Sequence, residues 1–263
     1  MFREPLHSSC RLPGIPLPFP SGHFHARLAR PHEIGVPVSQ FSQSERPAVF
    51  PVCLLIDVSG SMSGGPMAAM NTALPAMQRA ILDDPTTGEI ARVSVVTFSD
   101  TAACVLPLSD MAHARMPTLS PQGGTDFAEG FRVGREALVD GIGALGRGAR
   151  YHRPVVFFLS DGQHNSSQSW KSGFDRLRSK EDKYGAEVVS FGFGQANRDV
   201  IAQVSTRHAF FAEDMDPAVA VKEILHTVLM SIKTTSGSFQ AGGAAGLTIP
   251  ESTGLTPLPV FTN

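Results

Sequence analysis

The chain has 263 residues, 42% of them hydrophobic, and a formal net charge of −2, enough to bury a substantial core in one large domain or one domain with tails. The near-neutral charge excludes the basic footprint of a nucleic-acid binder, and no apolar run reaches the roughly 18 residues that suggest a membrane span. Cys10, Cys53 and Cys104 are odd in number and widely spaced, which points to a reducing, cytoplasmic setting without a disulfide framework.

Residues 1–46 are proline-rich and lack a lasting period, so a flexible arm is expected. Its opening MFREPLHSSCRLPGIPLPFP has no continuous apolar stretch and makes a poor secretory signal. His7, Cys10, His23, His25 and His32 match no zinc spacing and read as solvated side chains. PVCLLID (51–57) is a continuous apolar run, as in a parallel strand covered on both faces. Met67, Met70, Leu74, Met77 and Ile81 recur at steps of three and four, giving a helix over 66–83 with one apolar face and Pro66 in its first turn. RVSVVTF (92–98) is a second strand, and TAACVLPLS (101–109) after a Ser-Asp turn is an antiparallel edge that tolerates Pro107.

Phe131, Arg135, Leu138 and Ile142 mark a helix from about 125 to 140. PVVFFLS (154–160) is the most apolar strand and is placed centrally; Trp170, Phe174, Leu177 and Tyr184 mark the next helix. AEVVSFGFG (186–194) and HAFFAE (208–213) read as strands around a short helix NRDVIAQVS (197–205), and Val221, Leu225, Val228 and Ile232 give the last helix. Residues 235–263, rich in Gly, Thr and Pro, read as a flexible tail. Residues 47–234 therefore form one α/β domain, a mostly parallel sheet with helices on both faces. Ligands of such sheets bind outside the carboxyl ends of the strands.

Three loops at those ends carry small oxygen-bearing residues: Asp57-Val58-Ser59-Gly60-Ser61, Gly123-Gly124-Thr125-Asp126 and Ser160-Asp161-Gly162. Asp57, Ser59, Ser61, Thr125 and Asp161 form an all-oxygen set with neither His nor Cys. Hard divalent cations take such donors, Mg²⁺ above all at roughly 2.0–2.1 Å, with Mn²⁺ or Ca²⁺ as alternatives. Two carboxylates balance the charge, weak hydroxyls leave the ion electrophilic, and one position remains for an outside carboxylate.

DVSGSMSG after an apolar strand, GGT opening a helix and SDG after a later strand resemble the von Willebrand factor A domain and its metal-ion-dependent adhesion site. The likeness covers roughly residues 50–234. It implies a three-layer, Rossmann-like fold whose six strands lie in the order 3-2-1-4-5-6 with the third antiparallel. It also implies a metal held by Ser59, Ser61 and Thr125, with Asp57 and Asp161 acting directly or through water. VCLLIDVSGSMSGGPMAAMN, VSVVTFSDTAACVLPLSD, LSPQGGTDFAEGF and RPVVFFLSDGQHN are most similar to bacterial tellurium-resistance (TerY-type) proteins, which are generally encoded beside a phosphatase and a kinase-like partner. That neighbourhood implies a non-enzymatic scaffold in stress response or phospho-signalling, whose protein partner donates an Asp or Glu to the metal. Ser160 stands where many relatives have Thr. Asp126 stands where a small or apolar residue is expected; it is read as a first-turn helix acid in preference to a third carboxylate near the metal.

Other readings compete. Gly60-Ser61-Met62-Ser63-Gly64 matches the nucleophile elbow of hydrolases, with Ser63 as nucleophile and Asp161 and His208 as partners, but the elbow would follow the first strand and leave Asp57 and the GGT loop without a role. Asp57 and Asp161 as plain helix caps would not account for hydroxyls converging from three loops. A VWA subunit serving an AAA⁺ ATPase would share the metal site and differ only in partner, and a secreted adhesin fits neither the N-terminus nor the cysteine content. His164 reads as a rim or exposed residue because imidazole suits Mg²⁺ poorly; Asn165 shapes the same rim, and Phe98 and Ser99 floor the site.

Overall fold

Apolar, fully buried runs form the centre of the sheet, and the more exposed strands its edges. The computed structural model describes residues 47–242, 246–252 and 254–260, all within one unit of the chain, residues 41–263. The residues 1–46 read as an arm, with their histidines and Cys10, lie outside the described residues. Seven strands lie in the order β3-β2-β1-β4-β5-β6-β7: β1 (Phe50–Asp57), β2 (Ala91–Phe98), β3 (Ala102–Asp110), β4 (Val155–Ser160), β5 (Glu187–Gly192), β6 (His208–Phe211) and β7 (Thr256–Leu258). β2, β1, β4, β5 and β6 run parallel, while β3 and β7 are antiparallel edges.

β1 and β4 are buried along their whole lengths because helices cover both faces. Val52, Leu54 and Ile56 of β1 join a core with α1 (Gly65–Leu82) and α6 (Pro217–Gln240). The alternate residues Cys53 and Leu55 face α3 (Phe127–Gly143), α4 (Lys171–Arg178) and α5 (Arg198–Gln203), as the two-residue period of a strand requires. The Met stripe of α1 (Met67, Met70 and Met77) is buried core. The expected three-layer order 3-2-1-4-5-6 with an antiparallel third strand is present.

The structure corrects several expectations. The sheet has a seventh strand, and residues 235–263 are not simply a tail: α6 continues to Gln240, and β7 adds to β6 with Leu255 and Leu258 buried. Thr235 and Thr248 are joined by two hydrogen bonds, and the Ser252 hydroxyl donates to Glu223, so the returning segment is tied along α6. α4 stops at Arg178, leaving Tyr184 beyond it, where its amide donates to Asp182. A six-residue helix, α2 (Pro85–Ile90), was not expected; it starts where Asp84 accepts from the Thr87 amide. Among the described residues no helix is long and apolar enough to cross a membrane.

Candidate metal centre

β1 and β4 are neighbours, and their C-terminal ends bring the first and third loops together. β1 ends on Asp57 because the apolar run that precedes it is sealed between the two cores, and Ser160 ends β4 in the same way. The Ser160 hydroxyl donates to Asp57 Oδ2 at 2.5 Å, and the Ser59 amide donates to Oδ1 at 2.8 Å. The Ser61 hydroxyl donates to Asp161 Oδ1 at 2.7 Å and lies 3.0 Å from the Ser59 hydroxyl. Since the Ser61 proton is committed to Asp161, Ser59 is the donor of that last contact.

The Gly-Gly-Thr-Asp loop closes the ring. The Gly60 amide donates to the Gly123 carbonyl and the Gln122 amide to the Val58 carbonyl, so the first and second loops are laced by backbone bonds. The Asp126 amide donates to the carbonyl of Ser99, the residue after β2, and Phe98 stacks on Phe158 and meets Phe127 edge-on beneath the loops. Asp57, Ser59, Thr125 and Asp161 are all buried, and Ser61 is exposed at the mouth.

All five sequence-predicted residues thus come to one end of the sheet. The centre of the arrangement is the position beside Gly162. A Cβ there would stand 3.1 Å from Thr125 Oγ1 and 3.6 Å from both Asp57 Oδ2 and Ser61 Oγ. Hydroxyl and carboxylate oxygens from the first two loops therefore ring a space that the glycine of the third leaves open.

Burial pushes the Asp57 carboxyl from its ordinary 3.8 up to about 6, against hydrogen bonds from Ser160 and Ser59 that pull it down. Burial also raises Asp161, against the Ser61 bond. Neither carboxylate forms an ion pair among the described residues. Two buried carboxylates without a protein cation are costly, and a divalent ion among hydroxyl oxygens would offset that cost. The residues fit a hard, oxygen-preferring cation. Among the described residues no group of three or more His, Cys, Asp or Glu side chains could hold a metal; the candidate set has two carboxylates and takes its remaining donors from hydroxyls.

Asp126 has the helix role: its Oδ1 accepts from the Ala128 and Glu129 amides, capping α3. His164 is neither a ligand nor a free rim group. Its Nδ1 accepts from the Phe127 amide at 3.2 Å, and its Nε2 donates to the Gln168 carbonyl at 2.7 Å. A neutral ring satisfies both contacts, so His164 joins Asp126 in holding the start of α3. Sequence reasoning did not find Asp100, whose exposed carboxylate lies against Gly123 and Gly124; a Cβ on Gly124 would come within 2.6 Å of its Oδ1. The pair of glycines was the available signal, since side chains there would collide with it.

The hydrolase arrangement is not assembled. The Ser63 hydroxyl is exposed and donates to the Gly60 carbonyl. His208 pairs with Val189, which pairs with Phe157, so it stands four residues below Asp161, about 13 Å at strand rise.

Residues 52–163 match the family model of the von Willebrand factor type A domain, a stretch from β1 into the loop after β4 that contains all five candidate residues. Over that stretch, less than half of the chain, the protein is similar to the von Willebrand factor type A (VWA) domain. Among curated proteins, the uncharacterized protein sll0103 of Synechocystis sp. is 26% identical to this chain over 161 residues, covering 59% of this chain and 34% of its own length. Proximal thread matrix protein 1 from the mussel byssus, solved with a zinc-occupied MIDAS motif, superposes with a TM-score of 0.52 at 17% identity, covering 71% of this chain and 48% of that one. The pilus adhesin SpaC of Lactobacillus rhamnosus GG gives a TM-score of 0.55 at 17% identity, covering 73% and 31%. The chain spans about a third of the curated relative and less than half of these two structures. At such identities the structural likeness concerns the fold.

Proposed function

We propose that this VWA domain is a divalent-dependent protein-binding module. Asp57, Ser59, Ser61, Thr125 and Asp161 would hold Mg²⁺ directly or through water, with Mn²⁺ or Ca²⁺ as substitutes. The observation that carries this reading is the open position at Gly162, ringed by oxygens of Thr125, Asp57 and Ser61. The zinc-occupied MIDAS of the mussel byssus protein supports a metal in this place in the fold. A bound cation would supply an electrophilic position that attracts an Asp or Glu carboxylate of a partner protein.

The chain's own residues do the rest. The sealed strand end fixes Asp57, the Ser61–Asp161 bond holds the mouth, and the laced loops keep the hydroxyls in place before binding. Among the described residues Ser63, Asp161 and His208 are not assembled as a triad, and the site would serve recognition rather than turnover. The motif resemblance extends this to an intracellular scaffold in a bacterial stress-response or phospho-signalling complex of the tellurium-resistance type, with a phosphatase or kinase-like protein as partner.

Calorimetric titration of Mg²⁺ into the full chain and into Thr125→Ala is the direct test. Binding that is present in the wild type and lost or much weakened in the variant supports the proposal. A wild type that takes up no Mg²⁺, or a variant that binds it equally well, sinks it.

A further inference from the structure

We infer that Asn165 is a positioning residue for the metal centre, acting through Thr125. The inference rests on the proposed metal-binding role of that site. Thr125 follows two glycines, of which Gly123 adopts φ +63°, so its approach is made of the chain's most permissive residues. Its backbone is held from across the cleft. The Asn165 amide oxygen accepts from the Thr125 N–H at 2.9 Å, and the Asn165 N–H donates to the Thr125 carbonyl at 3.0 Å. One residue thus satisfies both backbone polar groups of Thr125. The orientation of the Asn165 amide is fixed by chemistry, because an N–H needs an oxygen opposite it.

The neighbours of Thr125 are held by other partners: Gly123 by Gly60, Asp126 by Ser99. Only the clamp from Asn165 acts on Thr125 itself in this set of bonds, and it sets the backbone from which Oγ1 faces the open position beside Gly162. Gly124 is part of the device. A Cβ there would stand 3.0–3.1 Å from the Asn165 amide atoms, so glycine lets the two loops approach closely enough for the clamp to close. Asn165 also lies four residues after Asp161 on the same loop. The clamp therefore ties the loop that carries one carboxylate to the loop that carries one hydroxyl, and sets their separation. The Asn165 side chain is exposed, so it contributes little core packing of its own.

The test is a titration with Mn²⁺, followed by the EPR signal of free ion so that weak binding stays measurable, on the full-length wild type, Asn165→Ala, Asn165→Asp, Thr125→Ala and the Asn165→Ala/Thr125→Ala pair. Residues that orient metal ligands typically contribute 10–100-fold in affinity. Asn165→Ala is expected to weaken Mn²⁺ binding about tenfold or more. Asn165→Asp keeps an oxygen for the Thr125 amide and is expected to bind within a few-fold of wild type. The double variant is expected to bind like Thr125→Ala alone, because the effect of Asn165 passes through that hydroxyl. If the alanine variant does not fold, Asn165→Ser, whose hydroxyl ends short of the Thr125 amide, replaces it. Wild-type binding with an unaffected Asn165→Ala, or losses that simply multiply in the double variant, overturns the positioning role and leaves the metal site standing. A wild type that binds no Mn²⁺ overturns both.

Discussion

Replacing Asp57 by Asn should make the metal-free protein more stable while removing its affinity for metal. Asp57 is fully buried, and burial moves its carboxyl from 3.8 up to about 6. A carboxyl raised in the folded state binds its proton more tightly there than in the unfolded chain. Stability therefore falls as pH rises from about 4 through about 6, and the full penalty is present above that window. The interval from 3.8 to about 6 corresponds to about 3 kcal/mol at 1.36 kcal/mol per pH unit. Asparagine carries no charge, its Oδ1 still accepts from the Ser59 amide, and the Ser160 hydroxyl can rotate to accept from the new NH₂. Urea unfolding in EDTA should show Asp57→Asn more stable than wild type by up to about 3 kcal/mol at pH 8, with the gap closing toward pH 4. Adding Mg²⁺ at a hundred times its dissociation constant should return about 2.7 kcal/mol to the wild type and nothing to the variant. Equal or lower stability of the variant in EDTA at pH 8 would refute the argument that an uncompensated buried charge sits at this strand end.

Other substitutions separate the roles of neighbouring residues. Gly162→Ala puts a methyl group between Thr125 Oγ1, Asp57 Oδ2 and Ser61 Oγ and should abolish Mg²⁺ binding by calorimetry while the thermal midpoint in EDTA moves little. Asp126→Ala removes the cap of α3 and should cost about 1 kcal/mol in chemical denaturation with Mg²⁺ affinity kept; a large loss of affinity would make Asp126 a metal-facing carboxylate after all. Leu255→Ala truncates a buried side chain of the returning C-terminal segment and should cost about 2–4 kcal/mol, measured by urea unfolding; a change near zero would mean the segment is not bound to the sheet in solution.

The sequence by itself determined the elements whose signal is local. Phe50–Asp57 and Val155–Ser160 are legible as covered parallel strands because burial on both faces demands unbroken apolar runs, and α1 is legible because Met67, Met70, Leu74, Met77 and Ile81 keep a helical period. The five candidate donors are legible because each lies in a short loop directly after such a strand or before such a helix. Tertiary structure alone decided what depends on partners far along the chain. β7 is three residues with a proline and has no period of its own; it forms because β6 offers it an edge. Ser160 meets Asp57 across 103 residues, and Asn165 meets Thr125 across 40. His164 meets the Phe127 amide across 37 residues. No pattern within the Ser-Asp-Gly-Gln-His-Asn loop announces these contacts, since hydrogen bonds between loops are chosen by the sheet that brings the loops together.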